Sequence, residues 1–331
     1  MTDQLPLVGI TVGDAAGVGP EVVVKALRHP EVYAACRPLV IGDRRIFETP
    51  KFAALWSPLE ITEDPPGARY GPKVLTLLDL RNLDPEAVEM GSVSAEAGRA
   101  AAEYVIVAVR LALKGTLDAI ATAPLNKEAM QLGGYHYIGH TELLVDLTHT
   151  SRCTTMLATE GLRVTHVTRH LPFREIADHI TRERVLDTIL VTAEGMRALG
   201  YAHPRLAVAG LNPHNGENGL LGREELEEIA PAVAEARSRG LDVTGPIPAD
   251  SVFFQAIRGD FDVVVCMYHD QGHIAVKTHG FEQSITITLG LPFPRTSADH
   301  GTAFDIAGKG IADERSMLAA ILEAARLAQA Q

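Results

Sequence analysis

Three histidines stand at or just past the ends of segments whose composition predicts buried β-strands. The pairs are residues 163–169 with His170, 206–211 with His214, and 263–267 with His269. Three neutral imidazoles that leave one coordination position open are the ligand set of a catalytic metal ion. The alternative is that a chain with 13 histidines places a few of them at strand ends by accident. We interpret any one of the three as structural, and the three together as a metal site.

The elements around these histidines predict an α/β protein. The 263–267 run is unbroken and apolar, which is typical of a strand buried on both faces of a parallel sheet. Strand-like and helix-like segments alternate along the chain, so we expect a mostly parallel sheet with helices on both faces. Such sheets bind ligands just beyond the carboxyl ends of their strands, where the three histidines are predicted to lie.

Composition and charge exclude several classes of protein. The chain has 331 residues and is 46% hydrophobic, but no apolar run approaches the ~20 residues of a membrane span. The first residues lack a basic region followed by an apolar core, so we expect a cytoplasmic protein. Three scattered cysteines do not make a disulfide framework. The net charge of −12, without a basic stripe, argues against nucleic acid as a partner.

Three further segments are compatible with ligand binding and equally with ordinary structure. Residues 13–21 form a Gly-rich turn between a strand and a helix, without a Walker A or G-x-G-x-x-G pattern. His140 and Thr141 stand at a predicted helix start, which attracts anions, although a simple Thr cap is common there. Residues 300–310 are a polar loop flanked by Gly, which could wrap a nucleotide or form a turn.

Nine motifs carry a resemblance to a known family. In chain order they are GDAAGVGPE, TAPLNKE, GHTE, HLPFRE, GLNPHNGE, PAD, MYHDQGH, ITLGLPFPRTS and DHGTAFDIAGKG. Together they closely resemble the 4-hydroxythreonine-4-phosphate dehydrogenase family of pyridoxal phosphate biosynthesis. The first and last are also similar to GDGIGPE and HGSAPDIAGKG of isopropylmalate dehydrogenase.

The resemblance implies a two-domain fold like that of isocitrate and isopropylmalate dehydrogenases, with the active site in the interdomain cleft. The nucleotide side would comprise residues 1–128 plus 296–331, and residues 129–295 would carry the metal, the substrate and the dimer contacts. It also implies a homodimer in which the metal takes two histidines from one subunit and one from the other.

Roles for individual residues follow from the same resemblance. The implied metal ligands are His170, His214 and His269. The implied substrate contacts are His140, Thr141, Lys277, Thr286 and Arg295. The implied cofactor contacts are His300, Gly301 and Asp305. Independently of the resemblance, Asp250 and Asp270 are predicted catalytic residues that orient imidazoles, with a surface ion pair or a cap as the alternative.

Two positions depart from the family pattern. Thr286 stands where the family has Asn in VNITL, so that contact is kept with altered geometry or lost. Ala15 replaces the Pro of GDPAG, which loosens a turn but removes no reacting group.

The implied reaction is the metal- and NAD- or NADP-dependent oxidation and decarboxylation of a phosphorylated four-carbon 3-hydroxy acid. The first candidate is conversion of 4-phosphohydroxy-L-threonine to 3-amino-2-oxopropyl phosphate. The alternative substrates are 4-phospho-D-threonate and 4-phospho-D-erythronate, which would give dihydroxyacetone phosphate and CO2. The versions GENGL at 216–220 and HDQGHI at 269–274 are more similar to that branch.

Imidazole ligands favour zinc, with cobalt, magnesium or manganese as alternatives. Two other classes remain open: a phosphate acyltransferase and a metal-dependent sugar-acid binding protein. The loop at 300–310 disfavours both.

Overall fold

The computed structural model describes residues 5–49, 52 and 58–330. They divide into two compact units. The first contains the described residues up to Ser151 and those from Leu291 onwards, and the second is Arg152–Gly290. The domain division implied by the resemblance, at 128/129 and 295/296, stays a prediction.

The described residues form strands and helices that mostly alternate along the chain. The strands are β1 (Leu7–Thr11), β2 (Arg37–Gly42), β3 (Leu59–Ile61), β4 (Leu75–Asp79), β5 (Ala119–Thr122), β6 (Thr154–Thr159), β7 (Leu162–His166), β8 (Leu206–Ala209), β9 (Val243–Ile247), β10 (Val263–Cys266), β11 (Ile285–Leu289) and β12 (Arg295–Ala298). The α-helices are α1 (Gly19–Ala26), α2 (Pro30–Ala35), α3 (Arg44–Glu48), α4 (Ala95–Leu113), α5 (Lys127–Leu132), α6 (His140–Thr148), α7 (Arg182–Ala198), α8 (Ala230–Ser238), α9 (Ala249–Ile257), α10 (His269–Gly280) and α11 (Arg315–Gln329). A π-helical turn, Glu225–Ile229, leads into α8.

The first unit contains a parallel array of strands in the order β3-β4-β2-β1-β5-β12. The strand β1 is buried along its whole length, as expected for a central strand covered on both faces. The long helix α4 begins where the Ser94 hydroxyl accepts a hydrogen bond from the Ala97 amide, and it packs against β1, β2 and β5. The parallel pairing of β1, β5 and β12 places their carboxyl ends at one edge.

The second unit has the strand order β11-β6-β7-β10-β8-β9. The four strands β7, β10, β8 and β9 are parallel, whereas β6 pairs antiparallel with both β7 and β11. The helices α7 and α10 both pack against β6, β7 and β10. The prediction of an α/β fold with mostly parallel strands and flanking helices is confirmed. Among the described helices, none has the length and apolar character that a bilayer span requires.

The segment after β10 enters a helix without an intervening loop. The helix α10 begins at His269, directly after an extended Tyr268. The Gln271 side chain accepts a hydrogen bond from the Met267 amide at 2.7 Å and donates one to the Gly210 carbonyl at 2.8 Å. These bonds anchor the helix start to the ends of β10 and β8, so the chain turns into a helix immediately.

Candidate active site

The three predicted metal ligands follow three neighbouring parallel strands of the second unit. His170 comes after β7, His269 after β10 and His214 after β8, and β10 lies between the other two strands. Because parallel strands end at the same edge, all three histidines belong to one edge of the sheet. The strand β7 ends at His166, but the amides of Val167 and Thr168 still donate to the carbonyls of Cys266, at the end of β10, and Met267. His170 is therefore carried alongside His269.

His170 and His269 are neighbours in this edge. Their ring centroids lie 5.9 Å apart. Two imidazoles that share one ion at metal–nitrogen distances of about 2.1 Å have ring centres about 5 to 6 Å apart. The Nδ1 atom of His269 lies 2.7 Å from an Asp270 carboxylate oxygen. With the Nδ1 proton donated to that oxygen, Nε2 presents its lone pair to a ligand.

His214 is held by a different carboxylate. Its Nδ1 atom lies 2.8 Å from Glu217, and this hydrogen bond raises the pKa of His214 above its usual value. With the Nδ1 proton of His214 donated to Glu217, its Nε2 lone pair is available to a metal ion. His214 and Asp250 line a cavity of about 560 Å³, together with Tyr268 and Gln271. The Asp250 carboxylate also contributes to the raised pKa of His214.

A second carboxylate anchors the segment that carries His214. Glu225 is buried, and its side chain accepts hydrogen bonds from the backbone amides of Leu211 and Asn212 at 2.7 and 2.6 Å. The Asn215 amide group donates to the Pro246 carbonyl at 2.9 Å. The chain is thus fixed on both sides of His214, although the composition of the polar loop that follows predicts flexibility.

The chemistry of these donors fits a divalent metal. Imidazole nitrogens whose other nitrogen is bound to a carboxylate are typical zinc ligands. Among the described residues, no three His, Cys, Asp or Glu side chains come together as a metal site. His170 and His269 form the neighbouring pair, and the assignment of all three as ligands stays a prediction.

Two further imidazoles extend this pair. The ring of His273 stacks on His269 with a centroid distance of 3.6 Å, and His166 lies 4.8 Å from His273. Burial, and then the neighbouring rings of His273 and His269, hold the pKa of His166 well below its usual value. His166 is buried.

In the first unit, the half-buried His140 lies within electrostatic range of the buried Arg295. Arg295 on β12 is 2% exposed, and burial lowers its pKa to about 9. Its Nη2 atom donates to the Thr122 hydroxyl at 2.5 Å. Burial, and then the charge of Arg295, lower the pKa of His140. The His140 Nε2 atom is shielded from solvent and has no hydrogen-bond partner among the described residues, which fits a ligand atom at this place.

Thr141 is the second residue of α6, so it lies where the first amides of a helix attract anions. The other two predicted substrate contacts lie in the second unit. Lys277 is on α10, with its ammonium 5.0 Å from the centre of the Phe281 ring. Thr286 is a half-buried residue of β11, paired with Leu157.

The predicted nucleotide loop is fastened to the Gly-rich turn after β1. The amide of Val18 donates to the Thr302 carbonyl at 3.0 Å, and a Cβ on Gly17 would lie 2.8 Å from Thr302. Only glycine permits this approach. The Nε2 atom of His300 is buried without a partner among the described residues, which fits a hydrogen-bonding ligand. Gly301 and Asp305 of this loop are exposed.

Glu21 and Lys25 hold the C-terminal end of this loop in place. Glu21 is 1% exposed and accepts hydrogen bonds from the amides of Ala312 and Gly310 at 2.9 and 3.3 Å. Lys25 lies 2.8 Å from Glu21 and donates to the carbonyls of the same two residues. The turn of residues 13–21 is therefore part of the support for the loop at 300–310.

The comparison with known families decides the identity of the chain. The family model described as pyridoxal phosphate biosynthetic protein PdxA matches residues 34–324. The chain belongs to the PdxA family. It is 51% identical over 331 residues to the D-threonate 4-phosphate dehydrogenase of Cupriavidus necator, covering 99% of each chain.

Two solved structures of this family superpose closely on the chain. The 4-hydroxythreonine-4-phosphate dehydrogenase of Klebsiella pneumoniae is 45% identical, with a TM-score of 0.91 over 98% of this chain and 100% of that one. The one from Burkholderia phymatum is 50% identical, with a TM-score of 0.86 over 98% and 99%.

As a PdxA-family protein, the chain is an oxidoreductase that acts on a CH–OH group. The predicted family and enzyme class are confirmed, and the acyltransferase and binding-protein alternatives are set aside. The family implies a nicotinamide cofactor, a divalent metal and a small phosphorylated substrate.

Sequence reasoning missed the residues that position this site. Glu217 and Glu225 were not among the predicted site residues. Lys25 was not singled out. The one available signal was the spacing of three residues between His214 and Glu217, and of four between Glu21 and Lys25, which suits contacts within a turn.

Proposed function

We propose that this protein oxidises and decarboxylates 4-phospho-D-threonate with NAD or NADP, giving dihydroxyacetone phosphate and CO2. The observation that supports this choice of substrate is the 51% identity, over 99% of both chains, to the Cupriavidus necator D-threonate 4-phosphate dehydrogenase. The sequences GENGL and HDQGHI favour the same branch. The second candidate is 4-phosphohydroxy-L-threonine, supported by the names of the two solved structures.

The proposed metal ligands are the Nε2 atoms of His170, His214 and His269, two from one chain and one from its partner in a homodimer. The pair that this chain brings together, His170 and His269, supports that division. Three imidazoles favour zinc, with cobalt and manganese as alternatives and magnesium least suited. When bound, a divalent cation lowers the pKa of the substrate hydroxyl and stabilises the negative charge left on oxygen as CO2 departs.

The carboxylates at this sheet edge are proposed to orient the imidazoles. Asp270 holds the Nδ1 proton of His269, and Glu217 holds that of His214. Asp250 lies in the cavity beside His214 and is proposed to orient it or to accept a proton there. Each carboxylate thereby fixes the tautomer and the direction of an imidazole and makes its Nε2 a more basic ligand atom.

Fixed positive charge is proposed to bind the two anionic ends of the substrate. Arg295 is buried and oriented by Thr122, so its guanidinium is able to bind two oxygens of a phosphate or carboxylate. His140, Thr141 and Lys277 complete the proposed set of contacts. Thr286 offers a hydroxyl where the family has a carboxamide.

The nicotinamide cofactor is proposed to bind through its ADP half at the loop that begins at His300 and Gly301, with Asp305 near the ribose. The buried, unpartnered Nε2 of His300 supports this placement. In the reaction, the C3 hydroxyl of the substrate loses its proton, and the C3 hydride passes to the nicotinamide. The resulting ketone loses its neighbouring carboxylate as CO2, and C2 takes up a proton.

The substrate is tested by measuring the growth of reduced-nicotinamide absorbance with each ester. We expect turnover with 4-phospho-D-threonate to exceed turnover with 4-phospho-D-erythronate and 4-phosphohydroxy-L-threonine. A higher kcat/KM with the amine substrate would overturn the substrate assignment. Chelator and His214→Ala should both abolish turnover, whereas His203→Ala, an exposed histidine before β8, should not. Activity that survives chelation would contradict the metal mechanism.

Sharing of the site between subunits is tested by co-expressing two inactive variants, His214→Ala and His269→Ala. If the two ligands come from different chains, the mixed dimer keeps one complete set, and about a quarter of wild-type activity returns. If both come from one chain, mixing restores nothing. Each variant expressed alone provides the baseline.

A further inference from the structure

His273 has no role in the resemblance, yet its ring covers one face of a proposed metal ligand. The rings of His269 and His273 stack with a centroid distance of 3.6 Å and an interplanar angle of 11°. The two residues are four apart on α10, so their side chains lie on the same face one turn apart. The Nδ1 atom of His273 also lies 3.0 Å from the His269 carbonyl oxygen. The second ring is therefore tied to the residue whose side chain it covers.

His166 supports this stack from the sheet. It is the last residue of β7, is 4% exposed, and its ring centroid lies 4.8 Å from that of His273 and 6.1 Å from that of His269. A Cβ on Gly272 would lie 2.5 Å from His166 Nε2 and 3.0 Å from Cys266 Sγ. The glycine lets α10 approach the sheet closely enough for His166 to contact the stack.

The ring of His269 is restrained in two independent ways. In the plane of the ring, Nδ1 is held by Asp270 at 2.7 Å. Perpendicular to that plane, the flat face of the ring is covered by His273, which in turn contacts buried His166. A hydrogen bond alone permits an imidazole to tilt about the bond, and a stacked ring removes that freedom. The direction of Nε2 is therefore set by the histidine stack as well as by the carboxylate.

We propose that His273, supported by His166, is a positioning residue that holds His269 in the orientation in which Nε2 binds the metal. The proposal rests on the proposed role of His269 as a metal ligand. It assigns neither His273 nor His166 to the metal, which agrees with the lack of a three-ligand cluster among the described residues. Its physical basis is that partners that orient a ligand typically contribute 10- to 100-fold to metal affinity, about the range expected here.

The experiment measures the affinity of the metal-free protein for Zn²⁺ by competition with a chromophoric chelator, and the visible spectrum of the Co²⁺-loaded protein. His273→Leu, which removes the ring, should weaken Zn²⁺ binding about tenfold or more and shift the Co²⁺ bands. His273→Phe keeps a flat ring and should stay within about threefold of the wild type. His279→Leu, the same substitution at an exposed position of α10, should bind as the wild type does.

Unchanged Zn²⁺ affinity and an unchanged Co²⁺ spectrum in His273→Leu would overturn the positioning role. If that variant does not fold, His273→Asn, which is polar but has no aromatic face to stack, is expected to show the same loss and is decisive in the same way. Wild type and His269→Ala are measured in parallel. Equal metal binding by those two would contradict the proposed function, whereas a loss in His269→Ala with none in the His273 variants would contradict only the role of His273.

Discussion

The two units place functional groups at the same kind of sheet edge but hold them differently. In the second unit, the candidate metal ligands are partly exposed imidazoles, and two of them are fixed by a carboxylate close by in sequence, His269 by Asp270 and His214 by Glu217. In the first unit, Glu21 is a buried carboxylate that is fixed by backbone, namely the amides of residues 310 and 312.

Because of this difference, we expect substitutions in one unit to affect activity and substitutions in the other to affect stability. An exposed imidazole contributes little to folding, so replacing it should remove a ligand and leave the fold intact. A buried charge that satisfies backbone amides has a larger structural effect, because its loss leaves buried donors without partners. We therefore expect substitutions in the second-unit edge to change metal binding and turnover. Substitutions in the first-unit edge should change the free energy of unfolding.

The largest effect is expected for His170→Ala. Loss of a ligand should remove most of the several kcal/mol that a metal contributes to the transition state, a decrease in kcat/KM of about a thousandfold. The thermal midpoint of the metal-free protein should remain that of the wild type, because His170 is exposed. A large drop in that midpoint would show that the second-unit edge is structural after all.

The next effect is on stability and comes from Glu21→Gln. The change weakens the charged hydrogen bonds to Ala312 and Gly310 and removes the partner of Lys25, so the free energy of unfolding should fall by about 2 kcal/mol. Urea denaturation measures this. The control is Glu48→Gln, in an exposed pair with Arg44, which should cost about 0.5 kcal/mol or less. Equal losses in the two variants would contradict the contrast between buried and exposed carboxylates.

Asp14 provides a smaller effect that depends on pH. Burial raises its pKa from 3.8 to about 6, so the folded state binds a proton that the unfolded chain has lost. Stability is therefore highest below pH 3.8 for this group and is lost as the pH rises through 6. Between about pH 5 and pH 7, the wild type should lose about 1 kcal/mol relative to Asp14→Asn. Urea unfolding at the two pH values measures this, with exposed Asp260→Asn as the control that should parallel the wild type.

The smallest effect is on the titration of His214. Its raised pKa depends first on the hydrogen bond to Glu217, so Glu217→Gln should move the pKa downwards in the metal-free protein. Nuclear magnetic resonance titration of the imidazole protons measures this, with His203 as an internal reference that should not move. An unchanged His214 would show that Glu217 does not hold its Nδ1 proton.

The sheet was predictable from the sequence because its signals are local. The apolar run 263–267 and the Ala- and Val-rich segment around α4 contain their own evidence of burial and periodicity. The antiparallel insertion of β6 between β7 and β11 was not foreseen. Strand order depends on which segments pair in space, and no residue pattern in 154–159 encodes a partner.

The histidines of the candidate site were predictable from the sequence, but the residues that hold them in position were not. Residue type and strand ends pointed to His170, His214 and His269. The stack of His273 on His269 depends on the early start of α10, which the glycine at 272 made difficult to expect. A glycine usually weakens a helix, and here its lack of a side chain is what His166 requires.

The backbone after His214 is left-handed at four non-glycine residues, namely His214, Asn215, Glu217 and Asn218. Left-handed geometry is unfavourable for such residues by about 1 to 2 kcal/mol each, less for Asn. The segment keeps this shape only while its anchors at Glu225 and Pro246 hold. On warming, we expect the segment from His214 to Asn218 to lose this conformation before the sheets unfold. His214 would then be released as a ligand, and catalysis would be lost at temperatures where the protein is still folded.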